Sequence, residues 1–344
     1  GGIDFSALVV LLAIYFLRDV RLWGAGWAGR EFYSFAWWSL WGGLLITISM
    51  QIDVLGVKVF TNAALSDELT GYYRAANLIA RPAMFFAAIL ATSTLPFISF
   101  YSSGKEGAQY KAVIRRALKY ATILLIPIPV TMLAIPGAIL DIFFPSSYIA
   151  AAGSLRILGV AAAGGIYVVL LTRALQGIGR PLVAAISQVL GFGAQLVLFY
   201  VLVPRYGIIG AAWATASALL LSAAILSAAY LRTERERVGL SSLAALPALL
   251  AYGAVLYLFP HSSAGLTVLD VLVASVLYGL VLLLTRVVTT VDFTILYSSL
   301  PSIGVLRALE PRLRRIVAVL NRNPMPAGGS GSSDTNPTSR QSGG

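Results

Sequence analysis

Cysteine is absent from the 344 residues, and histidine occurs once, at His261. The first absence excludes disulfides and thiolate metal sites, and the second excludes a multi-histidine metal centre. Charge is scarce too. Asp, Glu, Lys and Arg make up 11% of the chain, against about 25% in a soluble domain, too little to coat a soluble core of this size. Gly-rich stretches such as Gly177-Ile178-Gly179-Arg180 occur, but none has the Walker pattern, so transport driven by ATP on this chain is excluded. The loops on one side are short and hold no Ser/His/Asp or paired-carboxylate constellation, so the chain is not read as an enzyme.

What is abundant is apolar. Hydrophobic residues make up 58% of the chain and the mean hydropathy is +0.83. The charges sit in short clusters between long apolar runs, the alternation of loops with membrane-spanning helices. A net charge of +11 could point to nucleic acid, but the basic residues are spread over several loops and form no stripe, so no nucleic-acid partner is expected.

Nine apolar spans are predicted. The first, about Ile3–Leu17, is shorter than the roughly 20 residues a bilayer requires and follows Gly1-Gly2 without a methionine. No basic stretch precedes it, which argues against a signal peptide, and it reads as the tail of a span whose start is missing. The others run about Tyr33–Asn62, Thr70–Tyr101, Tyr110–Phe144 (interrupted by Pro127, Pro129 and Pro136), Ile149–Ile178, Pro181–Leu202, Ile208–Leu231, Ser242–Phe259 and Leu266–Leu284. Beyond Arg286, Asp292–Leu320 carries Arg307, Arg312, Arg314 and Arg315 among apolar residues and suits an interfacial helix. After Ala327 the Gly/Ser-rich tail cannot bury a core.

The charge bias sets an orientation. Arg18, Arg21, Arg30, Lys105, Lys111, Arg115, Arg116, Lys119, Arg180, Arg232, Arg235, Arg237 and Arg286 fall on one side, 13 in all. The alternate loops hold Asp67, Glu68, Asp141, Asp270 and His261, with Arg205 the single basic residue. A cytoplasmic C-terminus in a multi-pass protein of the cell membrane is the reading.

Polar residues inside a membrane are costly and usually functional. In the second span Gln51, Lys58 and Asn62 fall within about 40° of one another on a helical wheel, with Asp53 pointing nearly the opposite way. In the third, Arg74, Asn77 and Arg81 share a face, with Tyr72 and Tyr73 beside them. Arg74 could snorkel to the interface; Arg81 lies about 18 Å along its span, where snorkelling explains it less well. Asp53 and Lys58 could equally pair between helices. Arg173 and Arg180 read first as positive-inside residues, and Gln188 and Gln195 as interhelical glue. Together the stripes imply a cavity with positive charge inside the bilayer, suited to a phosphate or pyrophosphate head group.

At these residues the chain resembles the polysaccharide flippases, of the superfamily that also holds the multidrug MATE exporters and the lipid II flippases. The resemblance rests on Ile52-Asp53 followed by Gly71, Tyr73 and Ala75; on Tyr148 with Ala150–Ala152; on Ala174-Leu175-Gln176-Gly177-Ile178-Gly179-Arg180; and on Pro204-Arg205-Tyr206-Gly207-Ile208-Ile209-Gly210-Ala211-Ala212. It covers about Ile3 to Leu320 and implies helices six to fourteen of a fourteen-helix family, with most of the first lobe missing.

The fold expected is therefore all-α, a polytopic transmembrane bundle of about nine spans, a MATE-like flippase lobe plus two extra helices. Its expected divisions are a spanning-helix remnant (1–17), a six-helix transporter lobe (18–241), two additional helices (242–286), a cytoplasmic interfacial segment (287–326) and a disordered tail (327–344).

The function implied is flipping of a polyprenyl-pyrophosphate-linked oligosaccharide across the cytoplasmic membrane for surface polysaccharide or glycan assembly, without a cofactor. Lobes would rock about a central cavity. Arg81, Arg74 and Lys58 would contact the anion, and Asn77, Gln51 and Asn62 the sugar hydroxyls. Tyr73 or Tyr72 would stack on a ring, and Asp53 would couple transport to an ion. Membrane lipids and glycosyltransferases of the same pathway are the further partners. The alternatives are a MATE-type multidrug or cation antiporter, whose cavity should favour acidic residues, and an inactive truncated membrane protein or scaffold.

Overall fold

The computed structural model describes residues 30–61, 66–103, 107–234, 245–259, 263–285 and 287. The first expected span, Asn62, His261, and the interfacial and tail segments beyond Val287 lie outside the described residues. Every regular element among the described residues is helical.

Helix α1 (Arg30–Phe60) bends by 43° between Ser49 and Gln51. Helix α2 (Ser66–Ser103) carries Asp67 and Glu68 in its first turn, the sign of charge that the positive end of a helix favours. At about 1.5 Å per residue this helix is longer than the hydrocarbon core is thick, so its ends reach past it. Ala76, Ala80, Ala83, Ala87 and Ala91 form a buried seam three and four residues apart. That seam lets α6 (Ala152–Gly177) approach closely, the small-residue packing that membrane helices rely on. Gly165 of α6 faces the thioether of Met84, and Gly177 faces Ile98.

The expected fourth span is three helices: α3 (Gly107–Leu125), α4 (Pro127–Ala134) and α5 (Pro136–Phe143), followed by a 3₁₀ turn at Ser146–Ala151. The breaks fall where a proline removes the N–H that would have bonded back one turn. Pro129, in the first turn of α4, causes none. Pro127 leaves the carbonyl of Ile123 without its helical donor, and the hydroxyl of Tyr278 donates to it at 3.0 Å. Thr131 donates to the carbonyl of Pro127 at 2.9 Å, and its oxygen lies 2.9 Å from the Tyr252 hydroxyl. The rings of Tyr252 and Tyr278 meet edge to face at 5.6 Å. Helices α8 (Leu246–Leu258) and α9 (Ala264–Leu284) thus carry the groups that repair the break.

Hydrocarbon offers an orphaned carbonyl no water, so Tyr278→Phe should destabilise the fold by about 1 kcal/mol, the usual worth of such a bond in membranes. Thermal unfolding in detergent would show it as a drop of about 2–4 °C; an unchanged midpoint would mean that the carbonyl finds another donor.

The helical segment α7 (Pro181–Glu234) changes direction at Gly207. Gly207 has φ 54° and ψ −131°, open only to glycine in practice. Past it the chain turns back on itself. Gly210 lies against the carbonyl of Leu202, Gly191 against the hydroxyl of Ser222, and Ser222 donates to the carbonyl of Ser187 at 3.2 Å. These pairings are antiparallel, so residues 181–206 and 208–234 are two helices of a hairpin. They answer to the expected sixth and seventh spans.

Among the described residues five helical segments are long and apolar enough to cross a membrane, with the α7 hairpin counted once, or six with α1, whose bent halves qualify only together. Two predicted spans share α7. The expected eighth is the 13-residue α8, about 20 Å long at 1.5 Å per residue and shorter than a crossing needs. The protein is an all-α, multi-pass membrane protein.

Candidate functional site

The site is built where α1, α2, α6 and α7 converge. The bend in α1 is held by Gln195 of α7, whose amide donates to the carbonyl of Ser49 at 3.3 Å and accepts from the Ser49 hydroxyl. Two turns further along α1, Gly56 lies under the ring of Phe199, where a Cβ would come within 3.1 Å. These contacts fix the face that α1 turns toward α2.

That face carries Asp53, only 3% exposed. Its Oδ1 accepts from the backbone N–H of Val54 at 2.8 Å. Its Oδ2 accepts from Asn77 Nδ2 at 2.5 Å and from the Tyr73 hydroxyl at 3.5 Å. Tyr73, wholly buried, also lies 3.3 Å from the Thr215 hydroxyl of α7. Asn77 in turn accepts at Oδ1 from Arg81 Nε at 3.2 Å, and Arg81 Nη2 donates to Gln51 Oε1 at 3.2 Å. One chain of hydrogen bonds thus runs Gln51–Arg81–Asn77–Asp53–Tyr73–Thr215 across three helices. Its Asn77–Asp53–Tyr73 part is buried and holds these side chains in one arrangement because each unmade bond there would be expensive; the Gln51 end is exposed.

Two cavities open on this chain. The inner, about 60 Å³, is bounded by Asp53, Asn77, Arg81, Ser49, Thr215 and Gln188 among apolar residues. The outer, about 340 Å³, lies between α1, α2 and α6 with Arg81, Thr172, Arg173 and Gln176 as its polar walls. Arg81, Ile46, Met84 and Val169 belong to both. Arg81 therefore stands where they meet.

The sequence-predicted residues divide. Asp53, Tyr73, Asn77, Arg81 and Gln51 come together. Arg74 is exposed and borders neither cavity. Lys58 pairs instead with Asp67 at 3.2 Å; both side chains are exposed, at 60% and 86%, so the pair adds little to stability. Tyr72 donates to Glu68 at 2.6 Å and meets the ring of Tyr148, away from both cavities. Asn62 lies outside the described residues. Asp53 was expected to point away from Gln51. On α1 it does, but Asn77 and Arg81, one turn apart on α2, reach both.

Thr215, Ser49 and Met84 line the inner cavity and were not foreseen. Thr215 had a signal: it places a hydroxyl in the otherwise apolar stretch Ala211-Ala212-Trp213-Ala214-Thr215-Ala216. Gln188, expected as glue, donates to Thr172 at 3.4 Å and also borders the inner cavity. Among the described residues no cluster of His, Asp or Glu is arranged to hold a metal ion.

Residues 5–152, which include most of this site, match the family described as "Polysaccharide biosynthesis protein". The chain is 30% identical over 166 residues to the "Probable low-salt glycan biosynthesis flippase Agl15" of Haloferax volcanii, covering 48% of this chain and 34% of that one. It is 28% identical over 178 residues to the "Uncharacterized membrane protein YabM" of Bacillus subtilis, covering 51% and 33%. Its fold matches the inward closed conformation of the lipid II flippase MurJ with a TM-score of 0.56 at 20% identity, over 70% of this chain and 51% of that one. The chain thus spans about a third of the length of these two relatives and about half of the solved flippase.

Proposed function

We propose, from its similarity to the polysaccharide biosynthesis family and to a glycan flippase, that this chain is part of a polysaccharide flippase and helps move the head group of a lipid-linked oligosaccharide across the cytoplasmic membrane for glycan assembly. The observation that carries the reading is Arg81. Its guanidinium stands inside the bundle, oriented by Asn77 and Gln51, at the junction of two cavities. A fixed guanidinium offers an oxyanion planar, paired donors and replaces hydration lost on leaving water. In this reading Arg81 meets the phosphate, Gln51 is placed for a sugar hydroxyl, and Asn77 and Tyr73 are occupied in holding Asp53. Arg74 and Lys58 would serve from the mouth of the path, Lys58 only after release from Asp67. Asp53 would be the coupling carboxylate. No covalent chemistry is assigned to any residue.

A multidrug cation exporter is the competing reading. Among the described residues bordering the two cavities, Asp53 is the one carboxylate, against Arg81 and Arg173. That balance favours anions.

Native mass spectrometry of the purified full gene product would decide between them. A polyprenyl-diphosphate glycan should be retained in preference to the same glycan on a neutral polyprenol, and tetraphenylphosphonium should not compete. Competition by the cation, without preference for the diphosphate, would favour the exporter.

A further inference from the structure

The outer cavity is the larger chamber by a wide margin, about 340 Å³ against about 60 Å³. The inner one has room for a few waters, at roughly 10–15 Å³ each, and not for a phosphate with its substituent. The outer reaches the lower end of small-molecule sites, which begin near 300 Å³. Whatever Arg81 binds must lie in the outer chamber.

A second guanidinium borders that chamber. Arg173 stands one turn before the end of α6, and its Nη1 donates to Gln176 Oε1 at 3.0 Å. Gln176 is itself buried, at 8% exposure. Thr172, also buried, completes the polar wall, and no residue bordering the chamber is acidic. The rest is apolar: Ile46, Met84, Phe85, Ala88 and Val169. Two positive charges on the walls of one apolar chamber repel each other, and an anion between them removes that cost. A plain positive-inside arginine needs only to reach water. Arg173 is exposed and does reach water, but it also borders the chamber that Arg81 borders, with a neutral amide holding its fork in place.

We propose that Arg173 is a second anion contact, and that the chamber between α1, α2 and α6 takes a diphosphate between Arg173 and Arg81. This rests on the reading of Arg81 given above. Gln176 is the positioning residue: it holds the Arg173 fork until an oxyanion replaces its amide oxygen. One phosphate then faces each arginine. The charged group is passed from the end of α6 toward the middle of α2 without losing contact with a cation.

The test measures binding of geranylgeranyl diphosphate, geranylgeraniol and inorganic pyrophosphate to the full gene product in detergent. Wild type, Arg173→Gln, Arg173→Lys and Arg81→Gln are compared. Arg173→Gln should weaken geranylgeranyl diphosphate about ten- to hundredfold, the loss expected for a hydrogen bond between charged groups. Geranylgeraniol binding and thermal stability should stay unchanged. Arg173→Lys should keep most of the affinity. Pyrophosphate following the same order would show that the chamber reads the phosphates alone; pyrophosphate that fails to bind would show that the chain anchors them.

If wild type binds the diphosphate and the alcohol equally, the anion reading of Arg81 fails, and the assignment of Arg173 with it. If wild type prefers the diphosphate, Arg81→Gln abolishes the preference and Arg173→Gln leaves it intact, only the assignment of Arg173 is overturned.

Discussion

On the proposed function, replacing Arg81 with leucine should lower glycan export about 30- to 4,000-fold, as expected when one partner of a desolvated charge pair is removed at a cost of about 2–5 kcal/mol. The prediction follows from what the side chain does in three directions. Its Nε is committed to Asn77, one Nη to Gln51, and the guanidinium borders both cavities. Leucine fills a similar volume but leaves two amide oxygens without a donor and the chamber without its central charge. Lysine keeps the charge and loses the fork, so it cannot meet Asn77, Gln51 and a phosphate together. Arg81→Lys should therefore fall between wild type and leucine. The measurement is surface glycan in cells that lack their own flippase, normalised to protein in the membrane. Wild-type export by the leucine variant would remove Arg81 from the path.

The second large effect concerns folding. Gly210→Val should destabilise the protein by about 3 kcal/mol, the upper end of ordinary overpacking penalties. A Cβ at Gly210 would overlap the carbonyl of Leu202 and come within 3.1 Å of the amide nitrogen of Val203. Both are backbone atoms, so no rotamer change relieves the clash and the two arms of α7 must part. Their separation would carry Thr215 away from Tyr73 and Gln195 away from Ser49, since the arms hold one of each pair. The expected reading is an unfolding midpoint lower by about 6–12 °C, with less protein in the membrane. Gly193→Ala, with open space around the new methyl, is the control and should behave as wild type. Equal stability of the two variants would mean that the hairpin is not as tight as described.

Among the described residues most helices were legible because they are long and apolar, although the predicted fourth span is three helices and two predicted spans share α7. Helix α2 begins four residues earlier than the apolar pattern does, since its first turn is acidic and hydropathy sees nothing there. The Asn77–Arg81 pair was also legible, because two residues one turn apart share a face whatever surrounds them. The partners of Asp53 were not. Which groups fill a carboxylate's lone pairs depends on the angle at which helices cross, and the bend at Ser49 that sets it has no proline to mark it. The position of Lys58 was not legible for a related reason. Helical periodicity placed it with Gln51, while its ion pair with Asp67 spans the break between two helices, where periodicity says nothing. Arg173 was legible as a charge near a helix end; that it borders the same chamber as Arg81 depends on the packing of α6 against α2.

The proline break in the fourth span carries a consequence for how such a protein can be shortened. Helices that add to the rim of a bundle are ordinarily expendable, as a porch is to a house. Here the rim holds up a wall: Tyr278 completes the carbonyl of Ile123, and Tyr252 meets the threonine that bridges the break. A chain cut after Glu234 would leave an unbonded carbonyl inside hydrocarbon. The cut would therefore be felt in helices α3 and α4, far upstream in sequence from the residues removed. Loss of transport on such a deletion is thus no proof of a binding role for the deleted helices. Phenylalanine at positions 252 and 278, which spares the helices and removes only the two hydroxyls, separates support from contact with lipid.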